Sequence, residues 1–162
     1  MDETVSLISL REKPEYAPIM AHWSYETWYL KRDIPFDINV KAYEARATGS
    51  GLPATYVALV SSMPVGMVSL KEDDLWSRKD LGPWLASLYV LPSFRCRGIG
   101  EALINRAVSE AKNLGFGDLY LFLGHNEERD LKKFYTRQGW SFFEKATDND
   151  GLETEIFSIS LK

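Results

Sequence analysis

The sequence predicts an α/β domain in which one mixed sheet carries helices on both faces. The chain has 162 residues, which corresponds to a single domain over 1–162 at ~150 residues per domain. Hydrophobic residues make up 45% and charged residues 26%, close to the globular average, so a disordered or collagen-like chain is excluded. Strand patterns cluster in the middle of the chain and helical patterns interrupt them towards both ends, which favours one mixed sheet packed between helices.

The first half of the chain contains one strand pattern, two helical patterns and a hairpin. Apolar and polar residues alternate over 5–10, which predicts a strand. Apolar residues recur at helical spacing over 15–31, and a second helix is expected from about 39 to 47. Residues 55–60 and 65–70 are rich in β-formers and flank a short turn, as in a hairpin.

The second half begins with an apolar stretch. Residues 84–91 are almost continuously apolar, which is typical of a central strand buried on both faces. Strict alternation along this strand would place Leu85, Ser87 and Tyr89 on one face. The remaining predicted elements are a helix from 99 to 114, a strand over 119–123, a short helix over 127–138 and a strand pair over 140–143 and 152–161.

Charge and cysteine content exclude several classes of protein. The net charge of −4 argues against a general nucleic-acid binder, which needs a basic surface to displace counterions. No run of ~18 apolar residues occurs, so no membrane-spanning helix is expected. Cys96 is the only cysteine, and a lone thiol suits a reducing, cytoplasmic location. Neither histidine belongs to a metal-ligand cluster, so no metal site is expected.

The segment from 88 to 100 carries the strongest functional signal. It combines the end of the apolar strand, a proline, a basic turn with two glycines and the start of a helix. The first amides of a helix have no partner within the helix and lie at the positive end of its dipole. Glycine permits close approach of a ligand to the backbone. These features together predict a seat for a phosphate or pyrophosphate group.

Three known phosphate-binding motifs contain glycines in this kind of turn. A Walker A loop requires Gly-Lys-Ser/Thr, whereas Gly100 is followed by an acidic residue, so that motif is excluded. The dinucleotide fingerprint requires a third glycine where Leu103 stands. The pattern Arg95-x-x-Gly98-x-Gly100, behind a Val-x-Pro strand end, resembles motif A of the GNAT superfamily of N-acetyltransferases. Residues 134–140 resemble the second signature of that family, aromatic-Tyr-x-x-x-Gly-aromatic.

The resemblance implies a fold and a cofactor. In this family a mostly antiparallel sheet contains a central parallel strand pair that splays apart, and acetyl-CoA lies in the gap as co-substrate. The main chain of the first splayed strand then contacts the pantetheine arm, and the following turn holds the pyrophosphate. The implied cofactor contacts are Leu88, Tyr89 and Val90 for the pantetheine arm, Arg95, Cys96, Arg97, Gly98, Ile99, Gly100 and Glu101 for the pyrophosphate, and Asn126 for the pantetheine amides.

The resemblance also implies a mechanism. A neutral primary amine attacks the thioester directly, and Tyr135, which matches the family tyrosine near the acetyl sulfur, protonates the leaving thiolate as general acid. The chain departs from the family pattern at Cys96, where glycine is usual, and at Glu128, where many members have asparagine. No general base is evident from the sequence. His125 is the best single candidate, and deprotonation through ordered water, or an acceptor amine of low pKa, is favoured over it.

The acceptor is expected opposite the cofactor, between the first helix pair and the last strand pair. The segments concerned are 23–29, 31–36 and 144–155. The first of them is rich in tryptophan and tyrosine, which predicts an apolar-walled acceptor pocket. The carboxylates that would attract a cationic amine are Glu26, Asp33, Asp148 and Asp150.

The sequence leaves the identity of the acceptor open. A small polyamine, an aminoglycoside-like drug, an amino acid and a protein N-terminus all fit the pattern. The oligomeric state is open as well, and a homodimer is one expectation. Two other functions are retained as alternatives. One is a catalytically silent acyl-CoA-binding or regulatory module on the same fold, which the missing base favours; the other is a nucleotide-dependent enzyme that binds ATP or NAD.

Overall fold

The structure, a computed structural model, describes residues 4–30, 32–124 and 130–162. The strands within these ranges are β1 (Val5–Ser9), β2 (Ala54–Val60), β3 (Met63–Lys71), β4 (Trp84–Val90), β5 (Asp118–Phe122), β6 (Ser141–Thr147) and β7 (Glu153–Ser160). They form one sheet in the order β1-β2-β3-β4-β5-β7-β6. The helices are α1 (Ala17–Ser24), which continues as a π-helical segment over Tyr25–Tyr29, α2 (Phe36–Thr48), α3 (Ile99–Asn113) and α4 (Leu131–Arg137).

Neighbouring strands in the sheet are antiparallel except at its centre. There β4 and β5 run parallel and share one register pair within the described residues, Trp84 with Tyr120. The predicted mixed sheet, mostly antiparallel with a splayed central parallel pair, is therefore confirmed. Because Trp84 is the first residue of β4, the rest of that strand diverges from β5 and leaves a gap between them.

Trp84 fixes the point at which the two strands separate. Its side chain is fully buried, and its ring centroid lies 5.8 Å from that of Tyr120 and 5.9 Å from that of Phe122, both on β5. The indole Nε1 donates a hydrogen bond of 3.0 Å to the main-chain oxygen of Leu81. A large aromatic side chain supplies much buried area, so these contacts hold the start of β4 against β5.

A β-bulge interrupts β4 just beyond this point. Met67 of β3 pairs with Tyr89 and Ser69 pairs with Ala86, so two residues of β4 oppose one residue of β3. Ser87 within the bulge has φ of +55°. A bulge of this kind reverses the alternation of side chains along a strand. The expectation that Leu85, Ser87 and Tyr89 share a face is therefore wrong: Leu85 belongs to the core under α3, whereas Tyr89 packs on the opposite face.

The two faces of the sheet carry different helices, as predicted. Val57 of β2 packs in a core with Met20 of α1 and Tyr43 of α2. The next residue, Ala58, points to the opposite face and packs in a core with Leu103 of α3 and Tyr135 of α4. The site described below therefore lies in a sheet that is covered on both sides.

Some boundaries differ from the sequence prediction. Helix α2 begins at Phe36 rather than at 39, because the extended backbone of Pro35 at its N-cap leads directly into the first turn. Strand β6 continues to Thr147 rather than 143, because β7 pairs with it as far as Glu153. The predicted start of the last helix, at 127, lies outside the described residues. In the described ranges no helix has the length and apolar character needed to span a membrane.

Gly66 on β3 allows close approach between the sheet and α3. A Cβ at this position would lie 3.0 Å from the main-chain oxygen of Tyr89 and 3.1 Å from Leu103 Cδ1. Overpacking of this kind typically costs about 1–3 kcal/mol. We therefore expect Gly66→Ala to lower the free energy of unfolding, measured by urea denaturation, by that amount.

Gly117→Ala is the matched control for this prediction. The nearest atom to a Cβ at Gly117 is Lys162 Cε, at 3.5 Å on a flexible side chain. Its free energy of unfolding should change by no more than about 0.5 kcal/mol. Equal losses in the two variants would show that a general effect of replacing glycine, and not crowding beneath α3, sets the result.

Candidate active site

A cleft of about 200 Å³ opens where β4 and β5 diverge. Its floor is formed by residues 85–88 of β4 and by the end of β5 with the residues that follow it, 121–124. It is also lined by Leu131 and Tyr135 of α4. The remaining lining residues, here called the acceptor end, are Trp28 and Tyr29 of the π-helical segment and, from three connections, Arg32, Asp74, Asp148, Asn149, Asp150 and Leu152. The fold therefore brings α4 and the predicted acceptor segments to one cavity.

The edge of β4 that faces this gap is open. Past Trp84 the described residues provide no ladder partner on the β5 side, whereas the other edge pairs with β3 up to Val90. Backbone N–H and C=O groups on an unpaired edge must bond to water or to a ligand. The strand thus presents main-chain donors and acceptors towards the cleft. Of the residues predicted to contact the pantetheine arm, Leu88 lines the cleft, whereas Tyr89 and Val90 lie beyond its lining.

The turn after β4 has the conformation expected of an anion seat. Cys96 and Gly98 both adopt left-handed backbone, with φ of +62° and +81°, and α3 begins at the next residue, Ile99. The first main-chain bond into the helix runs from Ala102 N to Gly98 O, at 3.0 Å. No described carbonyl accepts from the amides of Ile99, Gly100 and Glu101. These donors lie at the positive end of the α3 dipole.

The two arginines of the turn are placed differently. Arg95 Nε donates a hydrogen bond of 2.9 Å to Val90 O, and its guanidinium lies 5.7 Å from the centroid of the Tyr89 ring. Arg95 therefore ties the turn to the end of β4. Arg97 lies with its guanidinium 5.0 Å from the ring centroid of Phe94, within the turn itself.

Helix α4 reaches the turn through its aromatic residues. A Cβ added to Gly100 would lie 3.4 Å from Phe134 Cζ, so this glycine lets the start of α3 pack against α4. The ring of the adjacent Tyr135 contacts those of Phe134 and Trp140, with centroids at 5.3 and 6.0 Å. Tyr135 is 7% exposed and lines the cleft. Packing between two rings fixes the direction of its phenol.

The acceptor end is built from connections that bond to one another. Asn149, in the β6–β7 turn, accepts a hydrogen bond from Trp76 N and donates one to Asp74 O, both at 3.0 Å. Asp148 Oδ1 accepts from the amides of Asp150 and Leu152, both at 2.9 Å. These bonds hold the β6–β7 turn in a defined position beside the cleft.

A second tie joins the β3–β4 connection to β6. Arg78 donates to Glu144 Oε2 at 2.6 Å and to Asp80 Oδ2 at 3.0 Å. The hydrogen bond from Arg78 lowers the pKa of the Asp80 carboxyl, because it stabilises the ionised form. The β3–β4 connection, which contains Asp74, is thus held to the β6–β7 turn by Asn149 and to β6 by Arg78.

The predicted acceptor residues divide between cleft and core. Trp28 and Tyr29 line the cleft. Trp23 is buried against Tyr89, with ring centroids 5.3 Å apart, and Tyr25 packs against Phe36. Among the four predicted carboxylates, Asp148 and Asp150 line the cleft, whereas Glu26 contacts His22 on the surface and Asp33 lies away from the lining.

Two predicted residues, His125 and Asn126, lie outside the described residues. Sequence reasoning missed Arg32 as an individual lining residue. Only the position of Arg32 in a predicted acceptor segment could have pointed to it. No group of three or more His, Cys, Asp or Glu side chains suited to a metal ion is found in the part of the chain that the structure describes.

A mixed sheet that splays at a central parallel pair, followed by an amide-rich turn and a helix, is the architecture of a GNAT domain. The chain belongs to the acetyltransferase (GNAT) family, whose model matches residues 17–140. It is similar to an uncharacterized N-acetyltransferase of Methanocaldococcus jannaschii, with 35% identity over 89 residues. That match covers 52% of this chain and 38% of the relative, so this chain aligns with well under half of the longer protein.

Solved structures share this fold over nearly the whole chain. An aminoglycoside 6'-N-acetyltransferase complexed with coenzyme A superimposes with a TM-score of 0.73 at 17% identity, covering 98% of this chain and 97% of that one. A spermidine N-acetyltransferase chimera from Vibrio cholerae and hSSAT gives a TM-score of 0.73 at 16% identity, with coverages of 97% and 95%. A GNAT-family acetyltransferase from Staphylococcus aureus Mu50 gives 0.70 at 16%, with coverages of 98% and 100%.

Proposed function

We propose that this protein is an acyltransferase that moves an acetyl group from acetyl-CoA to the nitrogen of a primary amine. The observation that carries the proposal is a cleft lined both by the open edge of β4 and by Tyr135. The turn with exposed amides follows the same strand and leads into α3. Membership of the acetyltransferase family supports it, as does the coenzyme A bound to a protein of the same fold.

The proposed cofactor position follows the open strand. The pantetheine arm lies along the main chain of Leu88, Tyr89 and Val90, with Asn126 as a further contact. The pyrophosphate faces the amides from Cys96 to Glu101, where the helix dipole and the charge of Arg97 stabilise its negative oxygens. Arg95 acts in this scheme by holding the turn to Val90 as well as by its charge.

The proposed reaction is a direct transfer. The lone pair of a neutral amine forms a bond to the thioester carbonyl carbon, a main-chain amide of β4 stabilises the oxygen that becomes negative, and the carbon–sulfur bond breaks. Tyr135 donates its phenolic proton to the departing sulfur. The proton lost from the amine passes to ordered water, the route that the sequence favours.

Replacement of Tyr135 by phenylalanine tests the general acid. The ring contacts with Phe134 and Trp140 are kept, whereas the proton donor is lost. We expect kcat, measured by thiol release at saturating acetyl-CoA and amine, to fall by about 10²-fold. The KM for acetyl-CoA should change little.

Tyr43→Phe is the matched control, because it removes a buried phenolic hydroxyl from the opposite face of the sheet. It should keep its kcat. A Tyr135→Phe enzyme with the kcat of the wild type would refute the role of Tyr135. Binding of acetyl-CoA without thiol release for any amine would favour the silent module, and binding of ATP or NAD in its place would favour the nucleotide enzyme.

Two glycines at opposite ends of α3 test the pyrophosphate seat. Gly98 and Gly115 have φ of +81° and +90°, and a Cβ at either would meet nothing within 4 Å. Left-handed backbone costs an alanine roughly 1–2 kcal/mol, so both alanine variants should lose similar stability. Only Gly98→Ala places a methyl group beside the exposed amides. We expect its Kd for coenzyme A, measured by calorimetry, to rise about tenfold, which corresponds to about 1.4 kcal/mol.

Gly115→Ala should bind coenzyme A as the wild type does. Equal weakening in both variants would mean that backbone strain alone reduces binding. Unchanged binding in Gly98→Ala would exclude the turn as the pyrophosphate seat.

A further inference from the structure

The acceptor end of the cleft contains an internal cation in a setting suited to an organic amine. We infer that the acceptor carries a second positive group that binds to Asp150. In the absence of substrate, Arg32 occupies that position. Asp150 then selects the acceptor, and Arg32 competes with the second positive group of the acceptor for Asp150. This inference rests on the proposed function and specifies its substrate class.

The ion pair joins two connections that both line the cleft. Arg32 Nη2 lies 2.7 Å from Asp150 Oδ2, and both residues line the cavity. Arg32 comes from the connection between α1 and α2, and Asp150 from the β6–β7 turn, 118 residues away in sequence. The ion pair therefore links two connections that are far apart in sequence but adjacent in the lining of the cleft.

The guanidinium has the two contacts by which proteins recognise alkylammonium groups. Besides the carboxylate of Asp150, it lies 5.2 Å from the centroid of the Tyr29 ring, within the range of a cation–π interaction. Trp28 lines the same part of the cavity. A carboxylate beside an aromatic face attracts an ammonium group as it attracts a guanidinium. A substrate cation can therefore replace Arg32 and use the same two contacts, Asp150 and the Tyr29 ring.

The other two carboxylates of the cleft have structural partners. Asp74 accepts from Lys71 Nζ at 2.7 Å, and Asp148 Oδ1 caps the backbone of the turn. The carboxylate of Asp150 accepts a hydrogen bond from a side chain in another part of the fold, Arg32. A substrate cation can take the place of that side chain while the hydrogen bonds within the β6–β7 turn stay intact.

The exchange is energetically accessible. The side chains of Arg32 and Asp150 are 32% and 51% exposed, and ion pairs this exposed to water are weak. An acceptor whose first amine lies near Tyr135 holds its second amine at a high effective concentration beside Asp150. A monoamine cannot displace Arg32 in this way, so the two acceptor classes should differ in KM.

The test compares linear diamines with alkylamines of the same chain length, using thiol release as readout. In the wild type the diamine should have the lower KM. Asp150→Asn should raise the KM for the diamine about two- to fivefold and leave the alkylamine nearly unchanged, as expected for loss of a partly exposed ion pair. Arg32→Gln should act in the opposite direction and lower the KM for the diamine severalfold, because the competitor is removed.

The matched control lies on the same hairpin. Lys145 and Glu153 form an exposed ion pair at 3.4 Å, and neither residue lines the cleft. Glu153→Gln should leave both KM values as in the wild type. Added salt should raise the KM of the diamine more than that of the alkylamine, because screening weakens the contact with Asp150.

Several results would overturn the inference. Equal KM values for diamine and alkylamine would remove the second cationic subsite, and a higher KM for acceptors in Arg32→Gln would show that Arg32 binds an anionic group of the substrate. If no amine supports thiol release, the proposed function fails, and calorimetry then decides the inference separately. A diamine that binds more tightly to Arg32→Gln than to the wild type supports the subsite, and a diamine that binds to neither protein excludes it.

Discussion

Strands β4 and β5 run side by side in the same direction, meet at Trp84 and Tyr120, and then separate. Everything functional in this molecule depends on that separation. A backbone N–H or C=O left without a partner in a protein interior costs about 1–3 kcal/mol, so the groups on an open strand edge must bond to water or to a ligand. The gap therefore has unpaired backbone groups that suit the proposed cofactor, before any side chain is considered.

The surrounding packing keeps the gap from closing. Trp84 holds the beginning of β4 against β5 through two ring contacts, while the bulge at Ser87 turns the remainder of the strand. On the far side, Gly66 brings α3 close to the sheet, and α3 in turn packs against Phe134 of α4 at Gly100. Tyr135 is thereby placed in the groove by contacts made well outside it.

The sequence predicted the parts of the site that depend on local chemistry. The glycines, the proline and the two arginines after β4 define a turn whose conformation follows from short-range rules, and both the turn and the start of α3 lie where these rules place them. Helices on both faces followed from periodicity in the same way. The family signature around Tyr135 pointed to α4 because it is contained in a few consecutive residues.

The features that the sequence did not predict arise from contacts between distant segments. Ser87 is not a residue type that indicates left-handed backbone, so its bulge and the reversed alternation of Leu85 and Tyr89 could not be read from the pattern. The bond between Arg32 and Asp150 joins two loops that have no local signal for each other. Aromatic content likewise indicated a pocket, but the choice of Trp28 over Trp23 as a lining residue depends on how α1 is rotated against the sheet.

The hydrogen bonds of Asn149 also bear on how the acceptor specificity of such a protein can change during evolution. They join the β6–β7 turn to the β3–β4 connection, and Arg32 joins the same turn to the connection after α1. In the described part of the chain, none of these bonds reaches the residues from Leu88 to Glu101. The two halves of the cleft can therefore accumulate mutations independently. Descendants of one ancestral chain can keep the donor of the acetyl group while exchanging three surface loops, and with them the molecule that receives it.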